Sequence, residues 1–189
     1  MNVQVLSTLD RGFRTLRITE MLSSDIPAVV AIEKHSNLEP WTEESFLEEL
    51  LKSHSSLFVG RLSVGAGEFV AGFICFWLVA DEVQLLNIAV HQSYRQLGIG
   101  RCLLVHCLNC GAERRSRVAT LEVRSSNLAA QRLYTSLGFQ AVGQRPNYYG
   151  RLPEPAILME LVIAEPPLFC EARARVYKRE PGKPLFFVH

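Results

Sequence analysis

The sequence predicts one α/β domain, in which helices flank a sheet that is mostly antiparallel but contains one parallel pair of strands. Three largely apolar stretches, at residues 57–62, 68–80 and 83–91, follow one another with only short turns between them. That pattern is typical of an antiparallel meander. Residues 83–124 then have the pattern of strand, glycine-bearing turn, helix and strand, which makes the fourth and fifth predicted strands parallel neighbours in a right-handed crossover.

Capping residues predict where the other helices begin and end. Thr42 is suited to begin a helix, with Trp41 packing across its first turn onto Phe46. Asn127 begins a later helix that ends at Gly138, a residue type that tolerates the left-handed conformation after a helix. The remaining predicted elements are a first strand at 15–21, a helix at 23–36, and closing strands at 139–144 and 155–163 joined by a loop at 145–153.

Length and composition indicate a single globular domain with short extensions. The chain has 189 residues, of which 48% are hydrophobic, so it can bury the core of one domain. We place that domain at 15–163 and an N-terminal segment without clear periodicity at 1–14. The C-terminal extension at 164–189 contains proline-rich turns and a basic stretch at 173–179. For this extension a disordered tail, a docking element and a strand packed on the domain all remain open.

Charge and hydropathy exclude several classes of function. The net charge is +1 and the isoelectric point about 7.7, so no global electrostatic argument favours direct binding of nucleic acid. The N-terminus has no apolar core of a signal peptide, and the longest apolar run, at 69–80, has about the length of a buried strand rather than of a membrane span. We therefore expect a cytoplasmic protein that does not bind a membrane.

The cysteines predict neither a disulfide framework nor a metal site. There are five of them, and an odd number argues against complete pairing. Cys102, Cys107 and Cys110 have the C-x4-C-x2-C spacing of some iron–sulfur proteins, and His106 lies among them. Because this spacing falls inside an amphipathic helix, we interpret the three as buried thiols and predict no metal.

The glycine-bearing turn after the fourth predicted strand is a candidate anion site. Its sequence, RQLGIGR at 95–101, contains two glycines, and without a Cβ the backbone can approach a ligand closely. The helix that follows directs free N–H groups and its positive dipole end to the same place, where phosphate is the usual occupant. The predicted ligand-binding residues of this loop are Gln96, Leu97, Gly98, Ile99, Gly100 and Arg101.

Five motifs together resemble the GCN5-related N-acetyltransferase (GNAT) superfamily, and more narrowly the bacterial RimI-type ribosomal-protein alanine N-acetyltransferases. They are LNIAV, RQLGIGRCLL, LEVRSSNLAAQRLY, SLGF and NYY. The resemblance covers residues 15–163 and implies the GNAT fold, with acetyl-CoA as co-substrate. It also implies that Ile88, Ala89 and Val90 line acetyl-CoA along a strand edge and that Asn127 contacts it. Residues 88–90 also read as core strand, and for Asn127 a helix cap is an equal alternative.

The resemblance places two further motifs at the acceptor peptide and leaves two departures. Pro40-Trp41-Thr42 and Asn147-Tyr148-Tyr149 match positions near the family's peptide slot, although a capped helix and ordinary turn residues explain them as well. The departures are the C-terminal extension and the sequence HQSY at 91–94, where the family usually has Asp-Pro.

Glu122 and Tyr134 are the candidate catalytic residues. A carboxylate in the middle of the apolar strand 118–124 can act as a general base for an amine, whereas the alternative is an ion pair with Arg124 or Arg101. Tyr134 carries a phenol that is protonated at neutral pH and can give its proton to a departing thiolate, whereas the alternative is an aromatic packing role. Their match to the base and acid positions of the family favours the catalytic interpretation.

The predicted function is acetylation of the N-terminal alanine of a small-subunit ribosomal protein, by direct attack in a ternary complex of enzyme, acetyl-CoA and the N-terminal peptide. No cysteine is placed to carry the acetyl group, which favours direct transfer. One alternative is the same chemistry on other protein N-termini, lysine side chains or small amines. An alternative of a different class is a module that binds acyl-CoA or docks a partner without turnover.

Overall fold

The computed structural model describes residues 4–9, 14–64, 66–149 and 154–163, with the backbone alone at 4–9, 14, 64 and 147–149. Within these residues, eight strands form one sheet and four α-helices flank it. The strands are β1 Gln4–Leu9, β2 Arg14–Glu20, β3 Ser55–Val64, β4 Gly67–Val79, β5 Glu82–Val90, β6 Val118–Arg124, β7 Gln140–Tyr149 and β8 Glu154–Val162. The helices are α1 Ile26–Lys34, α2 Glu43–Leu51, α3 Ile99–Glu113 and α4 Leu128–Thr135.

The topology of the sheet confirms the predicted fold class. The strand order is β1-β2-β3-β4-β5-β6-β8-β7, and every neighbouring pair is antiparallel except β5 and β6. These two strands are the fourth and fifth predicted ones, because β1 lies in the N-terminal segment for which no strand was predicted. None of the helices in the described residues is long and apolar enough to cross a membrane.

Two hydrophobic clusters hold the helices on opposite faces of the sheet. On one face, Leu104 and Leu108 of α3 are fully buried in a cluster that also contains Phe76 of β4 and Leu121 of β6. On the other face, Val29, Ile32 and Phe46, from α1 and α2, pack in a cluster that also contains Val59 and Phe73. Burial of the apolar side of each helix against the sheet is the main source of its stability.

The predicted helix signals are largely confirmed. Thr42 Oγ1 accepts a hydrogen bond from the backbone N–H of Ser45 at 3.2 Å, and the Trp41 and Phe46 rings lie 5.3 Å apart across the first turn of α2. Gly138, after the end of α4, has φ +99°, a conformation that favours glycine. Residues 23–25, predicted to cap the start of the first helix, form a short 3-10 turn, and Asp25 is the cap residue of α1 without a side-chain hydrogen bond to it.

The predicted loop at 145–153 is wrong over its first five residues, because β7 continues to Tyr149. Arg145 pairs with Ala156, and Tyr149 pairs with Glu154, across an irregularity in the register. Pro146 is tolerated in this strand because, among the described residues, β7 is the last strand of the sheet and one of its edges lacks a strand partner.

Gly72 and Gly60 face each other on β4 and β3 and provide a test of packing in the middle of the sheet. A Cβ on Gly72 would lie 2.8 Å from the backbone oxygen of Ala89, whereas a Cβ on Gly60 would meet its nearest neighbour, a side-chain methyl of Leu16, at 3.4 Å. We expect Gly72→Ala to destabilise the protein by about 1–3 kcal/mol, which lowers Tm by roughly 2–12 °C. Gly60→Ala is the matched control, and equal melting temperatures for the two variants would contradict this account.

Candidate active site

The parallel pair β5–β6 is paired over only four residues. The register runs from Glu82 opposite Val118 to Leu85 opposite Leu121, whereas β5 continues to Val90 and β6 to Arg124. Beyond Leu85 and Leu121 the facing edges of the two strands are therefore not joined by strand pairing. Such an edge can pair with an extended ligand through backbone hydrogen bonds.

A bulge at the start of this opening changes which side chains of β5 face each helical layer. Phe76 and Cys75 of β4 pair with Leu85 and Asn87, so Leu86 is the extra residue. Before the bulge, Leu85 packs in the α3 cluster, and after it Ala89 belongs to the cluster of α1 and α2. The predicted co-substrate residues Ile88 and Val90 are half-buried against the α3 cluster, with Ala89 between them on the opposite face.

The predicted anion loop lies at the end of β5, where the chain turns into α3. Gln96 and Gly98 have left-handed backbone conformations, with φ 63° and 79°, and Gly98 caps the helix without a side-chain hydrogen bond. Apart from its own chain neighbours, no heavy atom of the described residues lies within 4 Å of the position that a Cβ on Gly98 would take. The backbone N–H groups of the first helical turn, at 99–101, have no partner within the helix and start at this open position. The geometry fits a phosphate group.

Side chains around the loop attach it to the rest of the site. Arg95 donates from Nε to the backbone oxygen of Val90 and from Nη2 to Ser36 Oγ, both at 3.1 Å. Arg101, on α3, donates to Ser136 Oγ at 3.1 Å. Leu97 is half-buried and Ile99 is buried, and both pack in the α3 cluster. The loop is therefore held against both β5 and the end of α4.

Glu122 faces the same side of the sheet as α1 and α2. Its neighbours Leu121 and Val123 are buried on the α3 side, so the strand alternation directs Glu122 to the other face. A quarter of the Glu122 side chain is exposed, and its Oε1 lies 3.2 Å from Arg145 Nη1 on β7. The ion pair predicted as the alternative thus exists, but with Arg145. Arg124 pairs with Glu39 at 3.2 Å and Glu154 at 3.7 Å.

Tyr134 lies on the opposite side of the opening from Glu122. It belongs to α4, is 5% exposed, and packs with its ring 5.9 Å from that of Phe139. Asn127 caps the same helix, since its side-chain oxygen accepts a hydrogen bond from the Ala130 N–H at 3.1 Å. The two candidate catalytic residues therefore lie on different faces of the sheet.

The cysteines in the described residues are packing residues. Cys75, Cys102 and Cys107 are buried and Cys110 is partly so. Burial raises the pKa of Cys75 to about 12 and that of Cys110 to about 11, and it also raises the pKa values of Cys102 and Cys107. The histidine beside them, His106, packs its ring 4.3 Å from Phe58, and burial lowers its pKa. Within the described part of the chain no group of three potential ligands could hold a metal ion.

Comparison with known proteins identifies the family. The family model described as "Acetyltransferase (GNAT) family" matches residues 21–139, from the start of α1 through the strands and helices that surround the opening. The chain belongs to the acetyltransferase (GNAT) family.

Individual GNAT proteins are similar over almost their whole length. The ribosomal protein bS18-alanine N-acetyltransferase of Escherichia coli (strain K12) is 36% identical over 151 residues, which are 78% of this chain and 97% of that protein. The crystal structure of the ribosomal-protein-S18-alanine N-acetyltransferase from Escherichia coli superposes with a TM-score of 0.70 at 36% identity, over 79% of this chain and 94% of that one. The crystal structure of Ard1 from Thermoplasma volcanium superposes with a TM-score of 0.72 at 30% identity, over 79% of this chain and 99% of that one.

The departure from the GNAT pattern at 91–94 is accommodated locally. Residues Gln92–Tyr94 form a 3-10 turn, and His91 Nδ1 accepts a hydrogen bond from the Ser93 N–H at 3.3 Å. A side chain at the start of this turn therefore caps it, a role for which aspartate is also suited. Of the motifs near the predicted peptide slot, Trp41 precedes α2 and packs across its first turn onto Phe46, whereas the side chains of Asn147, Tyr148 and Tyr149 lie outside the described residues.

A buried carboxylate that sequence reasoning missed anchors the α1–α2 connection beside the opening. Glu33, at the end of α1, is fully buried and accepts three hydrogen bonds: from the Asn37 amide at 2.7 Å, the Asn87 amide at 3.1 Å and the Trp41 backbone N–H at 3.1 Å. It therefore fixes the α1–α2 connection against β5 immediately after the bulge. The signal in the sequence was a charge beside Ile32 on the apolar side of α1.

Replacing Glu33 by glutamine tests this anchor. Both carboxylate oxygens of Glu33 accept hydrogen bonds. In Glu33→Gln, the NH₂ group of the glutamine would replace one of these oxygens and face an N–H donor, which would lower the stability of the protein by about 1–3 kcal/mol. We expect Glu33→Gln to lower Tm by roughly 2–12 °C and to accelerate hydrogen exchange at the Trp41 amide. Glu48→Gln, an exposed position on α2, is the control. Unchanged exchange at Trp41 would show that Glu33 does not hold the connection.

Proposed function

We propose that this protein transfers the acetyl group of acetyl-CoA to the N-terminal alanine of ribosomal protein bS18, by direct attack in a ternary complex. The observation that carries the proposal is the opening between β5 and β6, which has an anion-binding helix start at one end and the Glu122 carboxylate on one face. The nearly full-length similarity to enzymes named for this reaction supports the choice of acceptor. Residues 15–163 would form the catalytic domain, acting in the cytoplasm, where ribosomal proteins are made.

The residues of the opening suit acetyl-CoA, which supplies the acetyl group as a thioester. Backbone N–H groups at 98–101 would hold the pyrophosphate, and Asn127 lies at the start of the neighbouring helix α4. The edge of β5 at Ile88, Ala89 and Val90 would pair with the pantetheine amides as an added strand. A backbone N–H at Ala89 or Val90 would donate to the thioester oxygen as negative charge develops on it.

The chain provides a base and an acid for the transfer itself. Glu122 would accept a proton from the α-amino group, directly or through water, as the nitrogen bonds to the acetyl carbon. The bond from that carbon to sulfur breaks, and the Tyr134 hydroxyl would give its proton to the departing thiolate. Because burial keeps the described cysteines protonated, a cysteine carrier of the acetyl group is disfavoured.

The ordinary pKa values of the two kinds of amine favour an α-amine over a lysine as acceptor. An α-amino group has an ordinary pKa of about 7.7–8.0, against about 10.4 for a lysine side chain, so more of it is neutral near pH 7. The Arg145 guanidinium, 3.2 Å from Glu122, disfavours a second cation beside the carboxylate. A lysine must therefore lose its proton at a higher cost before it can react.

Mass spectrometry of acetyl-CoA reactions tests the acceptor. One peptide begins with the alanine N-terminus of bS18, and the second has that terminus blocked and contains an internal lysine. We expect one acetyl group on the first peptide and none on the second. Transfer to the lysine peptide alone would replace the proposal with a general lysine acetyltransferase. No transfer to either peptide, together with a thermal shift by coenzyme A, would favour a binding module without turnover.

Variants of the two catalytic candidates test the mechanism. We expect Glu122→Gln and Tyr134→Phe each to lower kcat by about 10²–10⁴-fold, with little change in the thermal shift produced by coenzyme A. Glu113→Gln, at the exposed end of α3, and Tyr94→Phe, whose ring stacks 5.3 Å from Phe69, are the matched controls. Full activity in either Glu122→Gln or Tyr134→Phe would remove that residue from the mechanism.

A further inference from the structure

On the face that carries α1 and α2, no helix or strand of the described residues covers one part of the sheet. Those helices pack on β3, β4 and the end of β5. Farther along the same face, the strand register aligns two rows of side chains, and we call these eight residues the open face. The first row is Val79, Glu82, Val118 and Val162, and the second is Trp77, Gln84, Thr120 and Glu160.

The exposure of the open face is unusual for the middle of a sheet. Val162 is 79% exposed and Val79 is 49% exposed, and Gln84 and Glu160 are also exposed. An open cleft of about 630 Å³ lies at the β4–β5 end of the face and is lined by Trp77, Val79, Glu82 and Gln84 among others. Exposed apolar side chains that form a contiguous patch usually mark a surface that another segment or molecule covers.

The open face is also acidic. Glu82 and Glu160 lie within it, and the exposed residue Asp81 adjoins it. Lys52, whose ammonium group lies over the Trp77 ring, already forms an ion pair with Glu49 at 2.6 Å. The face therefore suits an occupant that combines basic and apolar side chains.

The chain itself reaches this face at the end of β8. Val162 belongs to the first row, and the next residue, Ile163, donates its N–H to the backbone oxygen of Arg117 at 2.9 Å. The N–H of Arg117 in turn bonds the backbone oxygen of Asp81, beside the cleft, at 2.6 Å. Residues 164–189 therefore continue from the edge of the open face.

The composition of that C-terminal extension complements the face. It contains five basic and three acidic residues, a net charge of +2, together with apolar groups that include Phe169 and Phe186-Phe187. The four strands of the face span only about 15 Å at about 4.8 Å per strand. A nine-residue segment such as 164–172 has a maximum span of about 30 Å, so the basic stretch at 173–179 can reach any part of the face.

We infer that residues 164–189 bind the open face of their own chain. The basic side chains at 173–179 form ion pairs with Glu82 and Glu160. Aromatic side chains of the extension cover Val79, Val162 and the edge of Trp77. Covalent attachment at Ile163 gives the extension an effective concentration in the millimolar range without any further contact. The inference is independent of acetyl transfer.

Quenching of Trp77 fluorescence by acrylamide tests the inference in the full chain. Trp41→Phe leaves Trp77 as the one remaining tryptophan, since the sequence contains two. We expect reversal of the basic stretch (Arg173→Glu, Arg175→Glu, Lys178→Glu, Arg179→Glu) to raise the quenching constant about two-fold. Glu160→Arg should raise it similarly, and combining the two changes should restore much of the original protection.

Control measurements separate this result from its alternatives. Glu113→Arg, an exposed charge reversal at the end of α3, should leave quenching unchanged. Equal quenching constants in the parent, the reversed-tail variant and Glu160→Arg would overturn the inference. Protection that appears only as the protein concentration rises from about 1 to 100 μM would also overturn it, because the extension would then bind a second copy.

Discussion

The early end of pairing between β5 and β6 is the constraint on which the rest of the site depends. Four residue pairs hold the strands together, and the bulge at Leu86 comes one residue after the last of them. The pairing is long enough to keep the crossover helix α3 packed on the sheet, yet short enough to leave the end of β5 as an edge. A longer ladder would close the opening, and no ladder would leave α3 without a fixed position.

The α3 layer and the α1–α2 layer are held to the sheet by different kinds of interaction around this opening. The α3 layer is held by apolar burial and presents the backbone of the anion loop, where a phosphate needs N–H groups rather than particular side chains. The α1–α2 layer is held to β5 in addition by the Glu33 carboxylate, and a buried carboxylate is tolerated only when its oxygens are hydrogen-bonded. Directional bonds of this kind fix the position of a connection that apolar contacts alone would leave adjustable.

Features that depend on local sequence could be predicted, and features that depend on long-range register could not. The Gly98 turn, the Thr42 cap and the helical placement of the cysteines follow from neighbouring residues alone. The bulge at Leu86 has no local signal, because it is defined by the pairing of β5 with β4. The partner of Glu122 was predicted as Arg124 or Arg101, and Arg145 is instead brought close by β7, two strands away across β8.

The open face and the proposed acceptor site at Glu122 are neighbours on one surface of the sheet. Thr120, in the second row of the open face, is two residues before Glu122 on β6, a separation of about 7 Å at about 3.3 Å per residue. Both side chains point to the same side, so a segment bound on the open face ends close to the carboxylate that is proposed to receive the proton. In the proposed reaction, the acceptor chain would then enter from the other end, between the α1–α2 connection that Glu33 anchors and the Arg145 side chain. The alternation of β6, which directs Glu122 and Thr120 to one side, would thus limit the side from which that proposed acceptor can approach.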